Sequence, residues 1–328
     1  MRMRIIVTAV LLVGLAGAIF WLVFSFTRPV ETELGVTFSS VYAKSLGLDS
    51  RETYLALIDD LRVKKIRLPI YWSEIEPRRG QFNWDDLDFF MTTAEQHGIK
   101  LTLVIGRKVP RWPECFSPDW AEGLVGNEAD EALLSMEETV VARYKNFSSI
   151  ERWQVENEPF FPFGICPAPD LDLLNKETAQ LRSLDQRPIV SAVSGEMDPW
   201  FSVPYYIDYD ILGVSIYRVS YHPVTGLFPY PLTPFVYRFR STIASWFWNR
   251  EIIVSELQAE PWFSKPIAEL TGEERAAAFT ADDLRNNITF VKKAGFSEAY
   301  LWGAEWWYAE KKAGREALWT AAIDLFKK

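Results

Sequence analysis

Histidine and cysteine are scarce, two of each in 328 residues. That excludes a Cys/His zinc cluster of the usual kind. There is no basic surplus either. Lys and Arg number 35 against 44 Asp and Glu, a net charge of −9. A phosphate backbone needs a basic surface, so nucleic acid is excluded as a partner. The first turn from strand to helix, Ser39-Ser40-Val41-Tyr42-Ala43-Lys44, contains no glycine. A nucleotide fold would want a Gly-rich phosphate cradle there. No low-complexity linker breaks the body of the chain, so one domain is expected beyond the N-terminus. Neither cofactor nor metal is implied, because carboxylates without a histidine among them make a poor metal site.

Aromatic residues, by contrast, are abundant: 14 Trp, 13 Tyr and 22 Phe. They are enough for a large core with rings left over for a binding surface. The N-terminus is also distinctive. Arg2 and Arg4 precede an uncharged apolar run from Ile5 to Phe26. At about 1.5 Å per residue that run spans roughly 33 Å, enough to cross a bilayer. A cleaved signal peptide has a shorter apolar core and small residues at the cut. Ala16-Gly17-Ala18 offers such a cut, but the apolar run continues past it. The expectation is an uncleaved transmembrane signal-anchor over residues 1–28, with a cleaved signal as the alternative and a buried helix as the third reading. Arg2 and Arg4 favour a cytoplasmic N-terminus, a preference that Arg28 weakens without reversing. The body, residues 29–328, would then be membrane-anchored and extracytoplasmic.

From Glu33 onward one pattern repeats: a short apolar strand, a polar loop, an amphipathic helix. Strands are expected at Leu34–Phe38, Lys65–Ile70, Ile99–Ile105, Ile150–Val155, Pro188–Val193, Ile211–Ile216, Ile252–Ser255 and Ala299–Trp302. Helices are expected near residues 51–62, 84–97, 128–144, 170–184, 234–248, 272–293 and 315–326, with only a short helical segment after strand five. Alternation of this kind implies a parallel sheet with right-handed crossovers. Eight units close into a (β/α)8 TIM barrel, whose usual size is about 250 residues. The surplus falls in the loops after strands three, four, six and seven. Those loops lie on the C-terminal face, where such barrels keep their sites. A doubly wound open sheet is the rival.

The fourth strand ends abruptly in Glu156-Asn157-Glu158-Pro159. Proline cannot extend the ladder and biases Glu158 away from helix. The seventh strand ends at Glu256, three units further on, so Glu158 and Glu256 would meet across the barrel mouth. Two carboxylates there suit glycoside hydrolysis, one protonating the leaving oxygen while the other attacks the anomeric carbon. Arg67, inside an apolar strand, needs a carboxylate partner, because a lone buried charge is too costly.

Asn157-Glu158-Pro159 resembles the signature of the clan A retaining glycoside hydrolases, the group that includes family 5 cellulases and mannanases. The resemblance runs from Leu34 to Trp302. It implies Glu158 as acid/base, Asn157 on the sugar 2-hydroxyl and Glu256 as nucleophile. It further implies Arg67 steadying that nucleophile, Tyr217 contacting it, and Trp302 as the floor under the reacting sugar. Family 5 carries a histidine after strand three and another two residues before the strand-six tyrosine. Here those places read Gly106-Arg107-Lys108 and Ser215. His97 ends a helix, and His222 lies in the loop after strand six. A two-carboxylate mechanism needs neither. Glu156 competes with Glu158, being two residues away on an alternating strand. Glu260 and Glu305 are expected further out, as sugar contacts. The substrate implied is a β-linked glucan or mannan. A non-catalytic cell-surface glycan binder and a transglycosylase are the alternatives.

Trp84, Trp246 and Trp248 fall on helices and read as packing. Trp72, Trp112, Trp262, Trp306 and Trp307 follow strands on the C-terminal face, where indole rings stack on pyranose faces or merely pack the loops. Cys115 and Cys166 lie in the adjacent loops after strands three and four. Outside the cytoplasm they are expected to form a disulfide.

Overall fold

The computed structural model describes residues 12–327, apart from 19, 22, 23, 25, 27, 223 and 264–266. Eight parallel strands close into a barrel in chain order. Barrel strands one to eight are Glu33–Thr37, Lys65–Pro69, Lys100–Ile105, Ile150–Val155, Ile189–Ser194, Ile211–Ile216, Glu251–Gln258 and Glu298–Trp302. Strand one pairs with strand eight from Glu33↔Glu298 to Thr37↔Trp302, which closes the ring and excludes the open sheet. A small antiparallel hairpin, Val219–His222 with Gly226–Pro229, sits in the loop after strand six.

The barrel fills its own interior. Val190, Ile211, Ile253 and Tyr300 form one packed layer inside it. Tyr300 fits because strand one offers Gly35 beside it, where an added Cβ would come within 2.8 Å of the ring. At the strand starts Lys65 donates to Glu298 at 2.7 Å, and Arg152 donates to the same carboxylate at 3.1 Å. These strand-start charges neutralise one another on the face opposite the mouth.

The helices follow the expected pattern with two local departures. The single helix anticipated near 272–293 is two, Gly272–Ala278 and Ala281–Ala294. Thr280 breaks it: its hydroxyl accepts from the Asp283 N–H, and the Asp283 side chain accepts from the Thr280 N–H. Such a capping box starts a new helix wherever it falls. An additional helix, Ala304–Lys312, follows strand eight directly. It takes Trp306 and Trp307 into the core, both fully buried, so neither presents an open face to a sugar.

Half of the expected anchor, Ile5 to Phe26, lies outside the described residues. Among the described residues no helix is long and apolar enough to cross a membrane.

Behind strand four, Glu156, Glu137 and Glu177 are buried together. Burial raises all three carboxyls, with Glu137 pushed up to about 8. Ionised carboxylates only accept hydrogen bonds, so burying three together favours their protonated forms. The folded state therefore holds more protons than the unfolded chain between the ordinary value of 4.5 and about 8, and stability falls as pH rises through that window. Glu137→Gln is expected to flatten that fall. Urea unfolding at pH 5 and pH 8 measures it, and an unchanged difference between the two pH values contradicts it.

Candidate active site

Four strand ends build the mouth. At strand four the chain turns sharply: Glu156 and Glu158 both take left-handed backbone angles, φ 55° and 43°. For residues with a Cβ that conformation is strained and is held by surrounding contacts. It also breaks the strand's alternation. Glu156 turns away from the mouth and accepts from the backbone N–H groups of Arg107 and Lys108, at 2.8 and 2.7 Å. Glu158 remains at the mouth, accepting from the Ser215 hydroxyl at 2.5 Å. The competition between the two carboxylates is thus resolved by geometry.

Strand seven carries one residue more than its neighbours need. Val214 pairs with Val254 but Ser215 pairs with Glu256, so Ser255 is the extra residue. Strand eight shows the matching irregularity. Bulges of this kind re-aim a side chain, and here Glu256 becomes the register partner of the serine that holds Glu158. Ser215 on strand six thus reaches Glu158 across strand five, with Glu256 beside it in register on strand seven. Glu256 lies within the observed strand, two residues before its end at Gln258.

Arg67, 1% exposed, organises this centre. Its three nitrogens donate to Gln154 Oε1 (2.8 Å), Glu256 Oε1 (2.8 Å) and Asn157 Oδ1 (2.7 Å). The Tyr217 hydroxyl donates to the other oxygen of Glu256 at 2.9 Å. One carboxylate is thus held by a cation and a phenol. Burial raises Glu158 well above the usual carboxylate range, and the Glu256 charge adds to it. Such a pair has one carboxyl whose proton is held more tightly than usual and one carboxylate fixed in orientation beside it.

The loop after strand three contributes two residues that motif reading missed. Glu114 accepts from the Asn157 amide at 3.1 Å. Burial, then the Glu256 charge, pushes its carboxyl up to about 8. Arg111 lies between two rings, 3.8 Å from the Tyr42 centroid and 4.0 Å from that of Trp302. It also donates to Glu260, and to Glu305 at 3.0 Å. Glu260 and Glu305 are therefore buried partners of an arginine rather than outlying loop carboxylates, and burial pushes Glu305 up to about 7. Trp302 is at the mouth as expected, with the Arg111 guanidinium over its ring. Gly303 permits the approach: it has φ 124°, and a Cβ there would lie 2.4 Å from Glu260 Cβ.

The Cys115–Cys166 disulfide ties this loop to the one after strand four, as expected. The tryptophans divide. Trp112 is 63% exposed on the rim. From it a chain of rings descends through Phe163 (5.9 Å) and Trp262 (6.1 Å) to Tyr217 (6.0 Å), and so to Glu256. Trp72 does not join them. It is 2% exposed, edge-on to Trp120, with its indole N–H on Glu76 at 2.8 Å. Its place on the short helix Trp72–Ile75 leaves no ring face for a sugar. His222 lies on the hairpin and His97 on a helix end bonded to Thr93 O, away from the carboxylate pair.

Residues 69–168 match the model of glycosyl hydrolase family 10. That segment contains Asn157, Glu158 and both cysteines. The endo-1,4-beta-xylanase 3 of Hypocrea jecorina is 31% identical over 125 residues, covering 36% of this chain and 33% of that protein. The chain thus aligns with about a third of the length of this curated relative. Among solved structures, an exo-beta-1,4-mannosidase from an Opitutaceae bacterium covers 84% of this chain and 53% of its own, with TM-score 0.57 at 16% identity. A psychrophilic family 10 endo-beta-1,4-xylanase covers 83% of this chain and 86% of its own, with TM-score 0.52 at 16% identity. The family model that matches is family 10, where the sequence suggested family 5. Barrel, matched segment and strand-end residues together make this chain similar to the clan A glycoside hydrolases.

Proposed function

We propose that the protein hydrolyses O-glycosidic bonds of a β-linked polysaccharide or oligosaccharide with retention of configuration. One observation carries the reading: a buried Glu158, its carboxyl raised by burial, beside a Glu256 held by Arg67 and Tyr217. Glu158 gives its proton to the leaving oxygen as Glu256 attacks the anomeric carbon. The C–O bond to the leaving group breaks, and a glycosyl ester forms on Glu256. Glu158, now ionised, takes a proton from water, which attacks the same carbon and releases Glu256. Asn157, through its amide, orients the 2-hydroxyl. Trp302 lies under the reacting sugar, and the rings of Trp112 and Trp262 guide the chain inward. Names of similar proteins weight the substrate toward β-1,4-linked xylan or mannan, with glucan as the third candidate. Proton NMR of the first sugar released tests the reading. The β-anomer from a β-glycoside is expected, and the α-anomer would contradict it.

Glu114 belongs to this chemistry through its charge. It lies among the groups that raise Glu158. Glu114→Gln keeps an acceptor for Asn157 and removes that charge. The Glu158 carboxyl then relaxes downward, and the alkaline limb of kcat/KM moves to lower pH. A superimposable pH profile would remove Glu114 from the account.

The N-terminal run divides from the barrel near residue 28 and anchors it in a membrane, with the barrel on the extracytoplasmic side. Support comes from the exposed apolar side chains of its described part, among them Leu12, Val13, Leu15, Phe20 and Trp21. The disulfide agrees with an oxidising compartment.

A further inference from the structure

The helix Pro234–Trp248 buries Tyr237 and Ala244 against the barrel. At about 100° per residue, Phe235, Phe239, Thr242 and Trp246 fall on the opposite side. Phe235 is 50% exposed, Phe239 49% and Trp246 82%, with Phe247 beside them at 61%. Phe235 and Phe239 stack on each other at 6.2 Å. Single exposed aromatics are ordinary, whereas a contiguous apolar stripe marks a surface that something covers. The helix contains Arg238 and Arg240 and no acidic residue, in a chain of net charge −9.

What covers the stripe is indicated by where the N-terminal run leaves the barrel. Val30 N–H donates to Lys292 O at 3.0 Å. Arg238 donates to Arg28 O at 2.6 Å. The Phe26 ring lies 6.1 Å from that of Phe235, and the Arg238 guanidinium lies 5.8 Å from the Phe26 centroid. The apolar run thus departs from the stripe itself. Arg28, Arg238, Lys292 and Lys293 cluster at the point of departure. Aromatic rings with a basic rim are the side chains that favour the headgroup level of an anionic bilayer.

We propose that the outer face of the helix Pro234–Trp248 rests on the membrane surface. Phe235, Phe239, Trp246 and Phe247 enter the acyl boundary, and the basic rim meets anionic headgroups. The proposal shares its membrane with the anchor reading and is independent of the catalytic one.

The test uses the full chain in vesicles of phosphatidylcholine and phosphatidylglycerol. Both native cysteines are in the disulfide, so an introduced thiol takes a nitroxide label alone. Labels go on Phe239→Cys and Trp246→Cys, with Ser135→Cys on the helix Asn127–Tyr144 as the control. Near-ultraviolet circular dichroism verifies the fold of each. Collision with oxygen, which partitions into lipid, is compared with collision with a water-soluble nickel chelate. The oxygen-to-nickel ratio is expected to be severalfold higher at 239 and 246 than at 135. A chain that floats with the vesicles but shows the same ratio at all three positions keeps the anchor and overturns the docked face. Spin–spin broadening between copies without raised oxygen collision assigns the stripe to a second copy and overturns it too. A chain left in the supernatant overturns both the docked face and the anchor. Hydrolysis of an aryl glycoside by the same vesicles, scored separately, reports on the catalytic reading alone.

Discussion

Glu256→Ala is expected to lower kcat/KM by about 10⁴-fold or more, because in the proposed mechanism it removes the group that forms the covalent intermediate. The loss should be similar for substrates with good and poor leaving groups, since both need the attack. Azide added to the variant should restore turnover of an activated aryl β-glycoside. It would occupy the space left by the carboxylate and yield the α-glycosyl azide, the product of a single displacement. Arg67 and Tyr217 both lose a partner in this variant. A buried arginine left unpaired is destabilising, so thermal unfolding must accompany the kinetics. Glu256→Gln, which keeps an oxygen for Arg67 and offers an amide N–H to the Tyr217 oxygen, separates misfolding from lost chemistry. A folded Glu256→Gln protein with near-normal activity would contradict the assignment of the nucleophile.

Glu158→Gln is expected to cost about 10²- to 10⁴-fold in kcat/KM. Here the loss should depend on the leaving group, being large for an alkyl or sugar aglycone and small for a dinitrophenolate, which departs without a proton. The pH profile carries the sharper signature. In the proposed mechanism Glu158 must be protonated for the first step, and burial beside Glu256 raises its carboxyl. Activity is therefore expected to persist above the usual carboxylate range and to fall as pH rises through that raised value. In Glu158→Gln the alkaline limb should disappear. A variant that retains the limb would place the titrating acid elsewhere, and Glu114, pushed up to about 8, would be the first group to examine.

The barrel and its principal carboxylates were legible in the sequence because each rests on a local signal. Strand–helix alternation gives the barrel. Pro159 and the abrupt polar end of strand four locate Glu158, and the equal spacing of units locates Glu256. Arg67 is legible from cost alone, as a charge inside an apolar strand. The remainder depends on tertiary geometry. Left-handed turns at Glu156 and Glu158 decide which carboxylate faces the mouth, and nothing in an alternating strand announces them. The bulge at Ser255 is visible only against the neighbouring strands. Arg111 and Glu114 lie in a loop whose sequence gives no periodic signal. Their nearness to Cys115 was a usable clue, since a loop pinned by a disulfide beside the site has side chains in reach of it. Trp72, Trp306 and Trp307 show the reverse error. Position after a strand suggested open rings, but short helices folded all three into the core.

The central claim is that Glu256 forms a glycosyl ester while Glu158 manages the proton. The most direct test is mass spectrometry after incubation with 2-deoxy-2-fluoro β-glycosides of the xylo, manno and gluco series. The fluorine slows breakdown of the ester, so the intermediate accumulates. The account predicts an adduct of one sugar on the peptide containing Glu256, formed by the parent protein and absent from Glu256→Gln. An adduct on a peptide containing Glu158, Glu114 or Glu260 instead would contradict it.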